Sequence, residues 1–85
     1  MSQFRNLVKG RRIELGLSQH ALGKMLGYPN AQFICNIENG RSKMPKKKLK
    51  RLCRGLLLDS YLVVGALSRD YQEELFKILR IKVVA

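Results

Sequence analysis

The stretch from Leu17 to Arg41 leaves this chain the fewest choices of fold. It reads Leu-Ser-Gln-His-Ala-Leu-Gly-Lys-Met-Leu, then Gly-Tyr-Pro-Asn, then Ala-Gln-Phe-Ile-Cys-Asn-Ile-Glu-Asn-Gly-Arg. Ser18 is a good helix N-cap, because its hydroxyl can accept from a free amide of the first turn. Ala21, Leu22, Met25 and Leu26 then recur at helical spacing and predict one apolar face. Gly27 can leave a helix through the left-handed region, and Pro29 cannot continue one. Asn30 is placed to cap a second helix and Gly40 to end it. Two short helices joined by a tight turn are the outline of a helix-turn-helix.

The second helix has two different sides. Ile34 and Ile37 point one way, with Glu38 beside them, while Gln32, Asn36 and Asn39 project from the other. An amide side chain offers a donor and an acceptor together, which matches the adenine edge in the major groove of DNA. A solvated polar face is the plainer reading of the same residues. The surrounding charge argues against it.

Eighty-five residues form one domain with a modest core, and an apolar fraction of 46% is that of a globular chain. The 17 basic and 6 acidic residues give a net charge of +11. Residues 1–54 hold 13 basic and 2 acidic residues, whereas residues 55–85 hold 4 of each. All the net charge therefore lies with the helix-turn-helix, where it attracts a polyanion: DNA, RNA or an anionic membrane. Cys35 and Cys53 fit no zinc spacing and read as reduced, small apolar side chains. With His20 they form no nucleophile–base set, and Asp59, Asp70, Glu73 and Glu74 have no metal-ligand spacing, so neither catalysis nor a cofactor is expected. The N-terminus lacks a signal-peptide core, and Leu56–Leu67 is too short to span a bilayer and is interrupted by Asp59. These features predict a cytoplasmic protein.

Taken in order, a first helix is expected from Gln3 to Leu15, with Phe4, Leu7, Val8 and Leu15 as its apolar stripe and Gly16 at its end. Arg11 lies near the centre of that stripe and Arg12 at its edge. A charge facing a core needs a partner. Glu38, one of two acidic residues in the basic half, is on the inward side of the second motif helix, so an Arg–Glu38 pair is predicted without the spacing deciding which arginine makes it. Pro45 suits the first position of a helix over residues 45–57. Leu49, Leu52, Cys53 and Leu56 give that helix its apolar side, and Lys46, Lys47, Lys48, Lys50, Arg51 and Arg54 cover the rest. Six cations without an acid favour phosphate contact over plain solvation.

Asp59 or Ser60 can cap a fifth helix ending near Leu67, carrying Tyr61, Leu62, Val63, Val64, Ala66 and Leu67. Ser68 or Asp70 then caps a last helix with Tyr71, Leu75, Phe76, Ile78, Leu79 and Ile81, where Glu73 and Lys77 stand at the favourable i, i+4 spacing. The fold expected is all-α, five helices with an additional C-terminal helix. Residues 1–58 would form the binding core and residues 59–85 an extension of the same domain. This neutral, apolar extension leaves Tyr61, Tyr71, Leu75, Ile78 and Leu79 as a dimer or partner surface, unless an extra helix folds back over the core.

Arg12-Ile13-x-Leu15-Gly16-Leu17-Ser18-Gln19, followed by Ile34-x-x-Ile37-Glu38-Asn39-Gly40-Arg41, resembles the lambda-repressor/Cro-like (XRE) helix-turn-helix family over residues 4–58. The family is a five-helix fold of bacterial and phage transcription regulators, many of them dimers on near-palindromic operators. The resemblance implies that Gln19 bonds a DNA phosphate and supports the reading helix. It also implies that Ala31, Gln32, Phe33 and Asn36 face base edges, that Arg41 and Lys43 contact phosphates, and that Arg12 rather than Arg11 pairs with Glu38. Three departures stand out. The turn Gly27–Asn30 is one residue longer than usual, and Arg11 replaces a common leucine. Phe33 replaces a small or polar residue, and it either meets a thymine methyl or folds back onto the core.

The function expected is a sequence-specific, double-stranded DNA-binding transcription regulator, acting as a homodimer and as a repressor or activator through contact with RNA polymerase. Asn39 and Lys46 join the residues expected on phosphates. The alternative is an antitoxin-type interaction protein whose C-terminal helices cover a toxin partner while DNA binding serves autoregulation. A membrane partner would leave the amide row unexplained.

Overall fold

The computed structural model describes residues 2–80. Five helices follow one another: α1 (Gln3–Glu14), α2 (Gln19–Met25), α3 (Gln32–Glu38), α4 (Leu49–Leu56) and α5 (Ser60–Leu79), with a 3-10 turn at Lys46–Lys48 leading into α4. Among the described residues there is no strand. Local chemistry accounts for most of the boundaries. The Ser18 hydroxyl accepts from the Ala21 amide at 2.9 Å and starts α2, and the Asp59 carboxylate accepts from the Tyr61 amide at 2.8 Å and starts α5. Gly27 and Gly40 take positive φ, +86° and +77°, where α2 and α3 end.

One core unites the chain. Phe4 and Val8 of α1, Leu22 and Leu26 at α2, Ile34 of α3, Leu52 and Leu56 of α4, and Val63 and Ala66 of α5 are all buried in a single cluster. Cys53 and Leu49 pack at its margin, and both cysteines are free and half-buried. No helix among the described residues is long and apolar enough to cross a membrane.

Three sequence expectations change here. The C-terminal pair of helices is one helix of 20 residues, Ser60–Leu79, with no break at Ser68 or Asp70. Capping residues stop a helix only where the chain gains by leaving it, and Asp70 has a better use. Its Oδ2 accepts from the Ser2 hydroxyl at 2.6 Å and the Phe4 amide at 3.0 Å, and its Oδ1 accepts from the Gln3 amide at 2.7 Å. Asp70 thus joins Ser2 in capping α1 from the far end of the chain, and Arg69 adds a hydrogen bond to Gln3. Pro45 precedes the 3-10 turn rather than opening a helix, and α4 begins at Leu49. Met25 is 44% exposed, seated against Gly55 at the seam of α2 and α4 instead of in the core. Ile81, expected on the last helix, lies outside the described residues. The Glu73–Lys77 pair forms, at 3.4 Å.

Candidate nucleic-acid interface

The α2–α3 pair is set by a close backbone approach. Gly23 is buried, and a Cβ there would stand 2.5 Å from the carbonyl oxygen of Asn30. Only a residue without a side chain lets the turn fold this tightly onto α2. The Tyr28 amide donates to the Gly23 carbonyl at 2.9 Å. Tyr28 and Phe33 stack with ring centroids 4.1 Å apart, and both pack against the core. Lys48 reaches over from the 3-10 turn, donating to the Leu26 carbonyl at 2.8 Å with its ammonium 5.2 Å from the Tyr28 ring. This settles where the Phe33 ring lies: it folds inward onto Tyr28. Asn30 serves the start of α3 by accepting from the Gln32 amide at 2.9 Å, with Ala31 as the half-in residue.

The orientation of α3 is fixed by Glu38. Arg12 Nε donates to Glu38 Oε2 at 2.7 Å and Nη2 to Oε1 at 3.0 Å, while Arg12 Nη1 donates to the Leu17 carbonyl at 2.8 Å. Gln19 Nε2 adds a third bond to Glu38 Oε1 at 3.1 Å. The side chains of Arg12 and Glu38 are 12% and 2% exposed, so this is a desolvated pair tying α1, α2 and α3 together. Burial would raise the pKa of Glu38. Hydrogen bonds from Arg12 and Gln19 and the charges of Arg12 and Lys9 outweigh it, holding the carboxyl below its ordinary value of 4.5. Arg11 is engaged elsewhere, with the Leu56 carbonyl at 2.9 Å and Glu14 at 3.2 Å. Gln19, expected on a phosphate, gives one amide hydrogen to Glu38 and keeps a second.

With Ile34 and Ile37 buried, α3 turns its amides outward. Gln32 is exposed and Asn36 half-exposed, and Gln32 Nε2 donates to Asn36 Oδ1 at 3.1 Å across one helical turn. Ala31 is half-buried beside them. Asn39 is exposed at the end of α3 and donates to Cys35 Sγ at 3.3 Å. The basic loop that follows is pinned to the helix, with the Arg41 and Ser42 amides donating to the Asn36 carbonyl at 2.8 and 3.3 Å. Arg41, Lys43 and Lys46 are exposed on this loop and the turn beyond it. The single acidic side chain of this region, Glu38, is consumed by Arg12, so these cations face solvent as a group.

Sequence reasoning missed three contributors. Arg5 of α1 lays its guanidinium over Gly40, where any Cβ would collide with it, and so adds a cation at the end of α3. Gly23 and Lys48 shape the turn. The i, i+5 pairing of Gly23 with Tyr28 left a faint signal in the glycine of an otherwise good helix, but the reach of Arg5 and Lys48 depends on contacts distant in the chain.

Compared with known proteins, the chain matches no family model, no characterised protein and no solved structure.

Proposed function

We propose that this chain is a sequence-specific, double-stranded DNA-binding transcription regulator built on a lambda-repressor/Cro-like helix-turn-helix. The observation that carries the reading is the outward side of α3. Two amides one turn apart are flanked by unpaired cations, on a helix whose rotation is set by the desolvated Arg12–Glu38 pair. A seven-residue helix with its inner side locked can enter a major groove without losing its register. Gln32 or Asn36 would give up their mutual hydrogen bond to engage adenine N6 and N7, with the Ala31 methyl beside them for thymine. Arg41, Lys43 and Lys46, with Asn39 and the free hydrogen of Gln19, would bond phosphates and fix the position along the duplex. Phe33 would act from within, by bracing the turn. Two chains paired by a two-fold axis would read a near-palindromic operator, and occupancy of a promoter would block RNA polymerase or meet it.

The experiment is binding to DNA taken from immediately upstream of the protein's own gene, against scrambled DNA of equal length, at moderate salt with competitor. Strong preference for the upstream sequence is expected. Equal, salt-sensitive binding to both would remove sequence specificity and leave a general polyanion binder.

A further inference from the structure

The exposed cations around the helix-turn-helix fall on two faces. Arg41, Lys43 and Lys46 flank the amides of α3. A second set, Lys47, Lys50, Arg51 and Arg54, recurs at i, i+3, i+4 and i+7, which makes one stripe along the 3-10 turn and α4. All four are exposed, and they lie opposite Leu49, Leu52, Cys53 and Leu56, which repeat the same spacing on the inner side. The stripe and the amides of α3 look in different directions, because α2 stands between their helices. The Gly23 side of α2 meets Asn30 and Ile34, whereas Met25, two residues on and about 200° round the helix, meets Gly55 of α4.

We propose that this stripe is a second, sequence-independent site for the phosphate backbone of double-stranded DNA, so that one chain holds two duplexes at once. The role of α3 in holding the first duplex rests on the function proposed above. Three observations favour the second. The stripe is uncompensated: no acidic residue lies between Glu38 and Asp59, and among the described residues none of the four cations has an ion pair. Like charges at these spacings repel, and Lys46, Lys47 and Lys48 stand at the positive end of the α4 dipole. No carboxylate offsets that repulsion, and a polyanion reverses its effect. The crowding also continues across the seam to α2. Arg51 Nη1 and Lys48 Nζ would stand 3.1 and 3.5 Å from a Cβ at Gly27, and Lys48 is spent on the Leu26 carbonyl while Arg51 stays exposed beside it. The make-up of the stripe then selects the partner. Residues 46–56 include no aromatic side chain and Tyr28 is committed to Phe33, so the bases of a single strand find no stacking platform. The stripe itself holds no apolar side chain to anchor an acidic peptide. A row of point charges suits the regular backbone of a duplex.

The test fixes the duplex from upstream of the protein's own gene to beads, loads the full chain, washes, and offers a labelled duplex of scrambled sequence. Wild type is expected to capture the second duplex, less so as salt rises. Lys50→Gln with Arg54→Gln keeps exposed, helix-favouring side chains, so circular dichroism and the preference for upstream over scrambled beads should not change. Capture per loaded chain should fall about tenfold, and its log–log salt slope by about 2. Lys9→Gln with Lys77→Gln removes the same charge from exposed positions off the stripe and should leave capture near wild type. The proposal is overturned by a wild type that captures nothing, by capture that survives the stripe substitutions, or by an equal loss from the Lys9 and Lys77 pair. Capture of a single strand as readily as a duplex of the same length would overturn it too. Equal capture on upstream and scrambled beads, lost with the stripe substitutions, would support the stripe while counting against the sequence specificity of α3.

Discussion

Arg12 and Glu38 meet through two parallel hydrogen bonds of 2.7 and 3.0 Å in a space almost closed to water. Arg12→Ala strands a buried carboxylate, whose desolvation is then offset only by the Gln19 hydrogen bond and the more distant charge of Lys9. A loss of about 3–5 kcal/mol is expected in urea unfolding, much larger than for a surface ion pair. Arg11→Ala serves as the comparison and should cost less, because its partner Glu14 is exposed.

Asp70 gives stability its acid limb. Burial would raise its pKa, but the Ser2 hydroxyl, the Phe4 and Gln3 amides and the charge of Arg5 hold it below the ordinary 3.8. A carboxylate with a depressed folded-state pKa stabilises fully above its unfolded value and loses that contribution as pH falls through the folded one. Glu38 behaves in the same sense. Wild-type stability should therefore decline as pH drops below about 4.5. Asp70→Ala should be about 1–2 kcal/mol less stable at neutral pH, with a flatter acid decline, in denaturation curves taken across pH.

Two glycines in helices should answer oppositely to the same change. Nothing lies within 4 Å of a Cβ at Gly10, so Gly10→Ala should stabilise by about 0.5–1 kcal/mol. At Gly23 the Asn30 carbonyl occupies the space, and Gly23→Ala should destabilise by about 1–3 kcal/mol while shifting α3. Thermal unfolding of both variants reads the difference.

Gln32→Ala should reduce discrimination at particular base pairs by about 1–3 kcal/mol while general affinity stays close to wild type, as measured with a panel of single-base operator variants. Equal weakening on cognate and random DNA would move the base contacts away from Gln32.

Lys46→Ala should weaken binding to every sequence and lower the slope of log affinity against log salt by about 1. A titration across salt concentrations on one duplex decides it.

The sequence was most legible where the chemistry is local. Ser18 caps α2 from within three residues, and Gly27 and Gly40 end α2 and α3 because only the left-handed region turns the chain there. The Arg–Glu38 pair was legible for a different reason: with so few acids in the basic half, an inward arginine had almost nowhere else to go. The resemblance named Arg12, and the geometry agrees. Asp70 was misread because Ser68-Arg69-Asp70 looks like a helix start, while its real partners are more than sixty residues away. The environment of Phe33 is not legible from its own helix, because it depends on Tyr28, which stacks on it from the preceding turn. The exposed apolar residues Tyr61, Tyr71, Leu75, Ile78 and Leu79 were legible by type, but that one continuous helix carries them all was not, because the capping residues Ser68 and Asp70 suggested a break.

The capping of α1 by Asp70 has a consequence for the order in which this protein comes into being. Translation delivers α1 before α5, yet the carboxylate that closes the leading turn of α1, and the Val63 and Ala66 side chains that complete the core around Phe4 and Val8, come only after α4 has been made. A nascent chain that has already made α3 is still thermodynamically unfinished. Completion waits for α5, so the amide-bearing surface of α3 gains its full support only after that last helix has folded back onto α1.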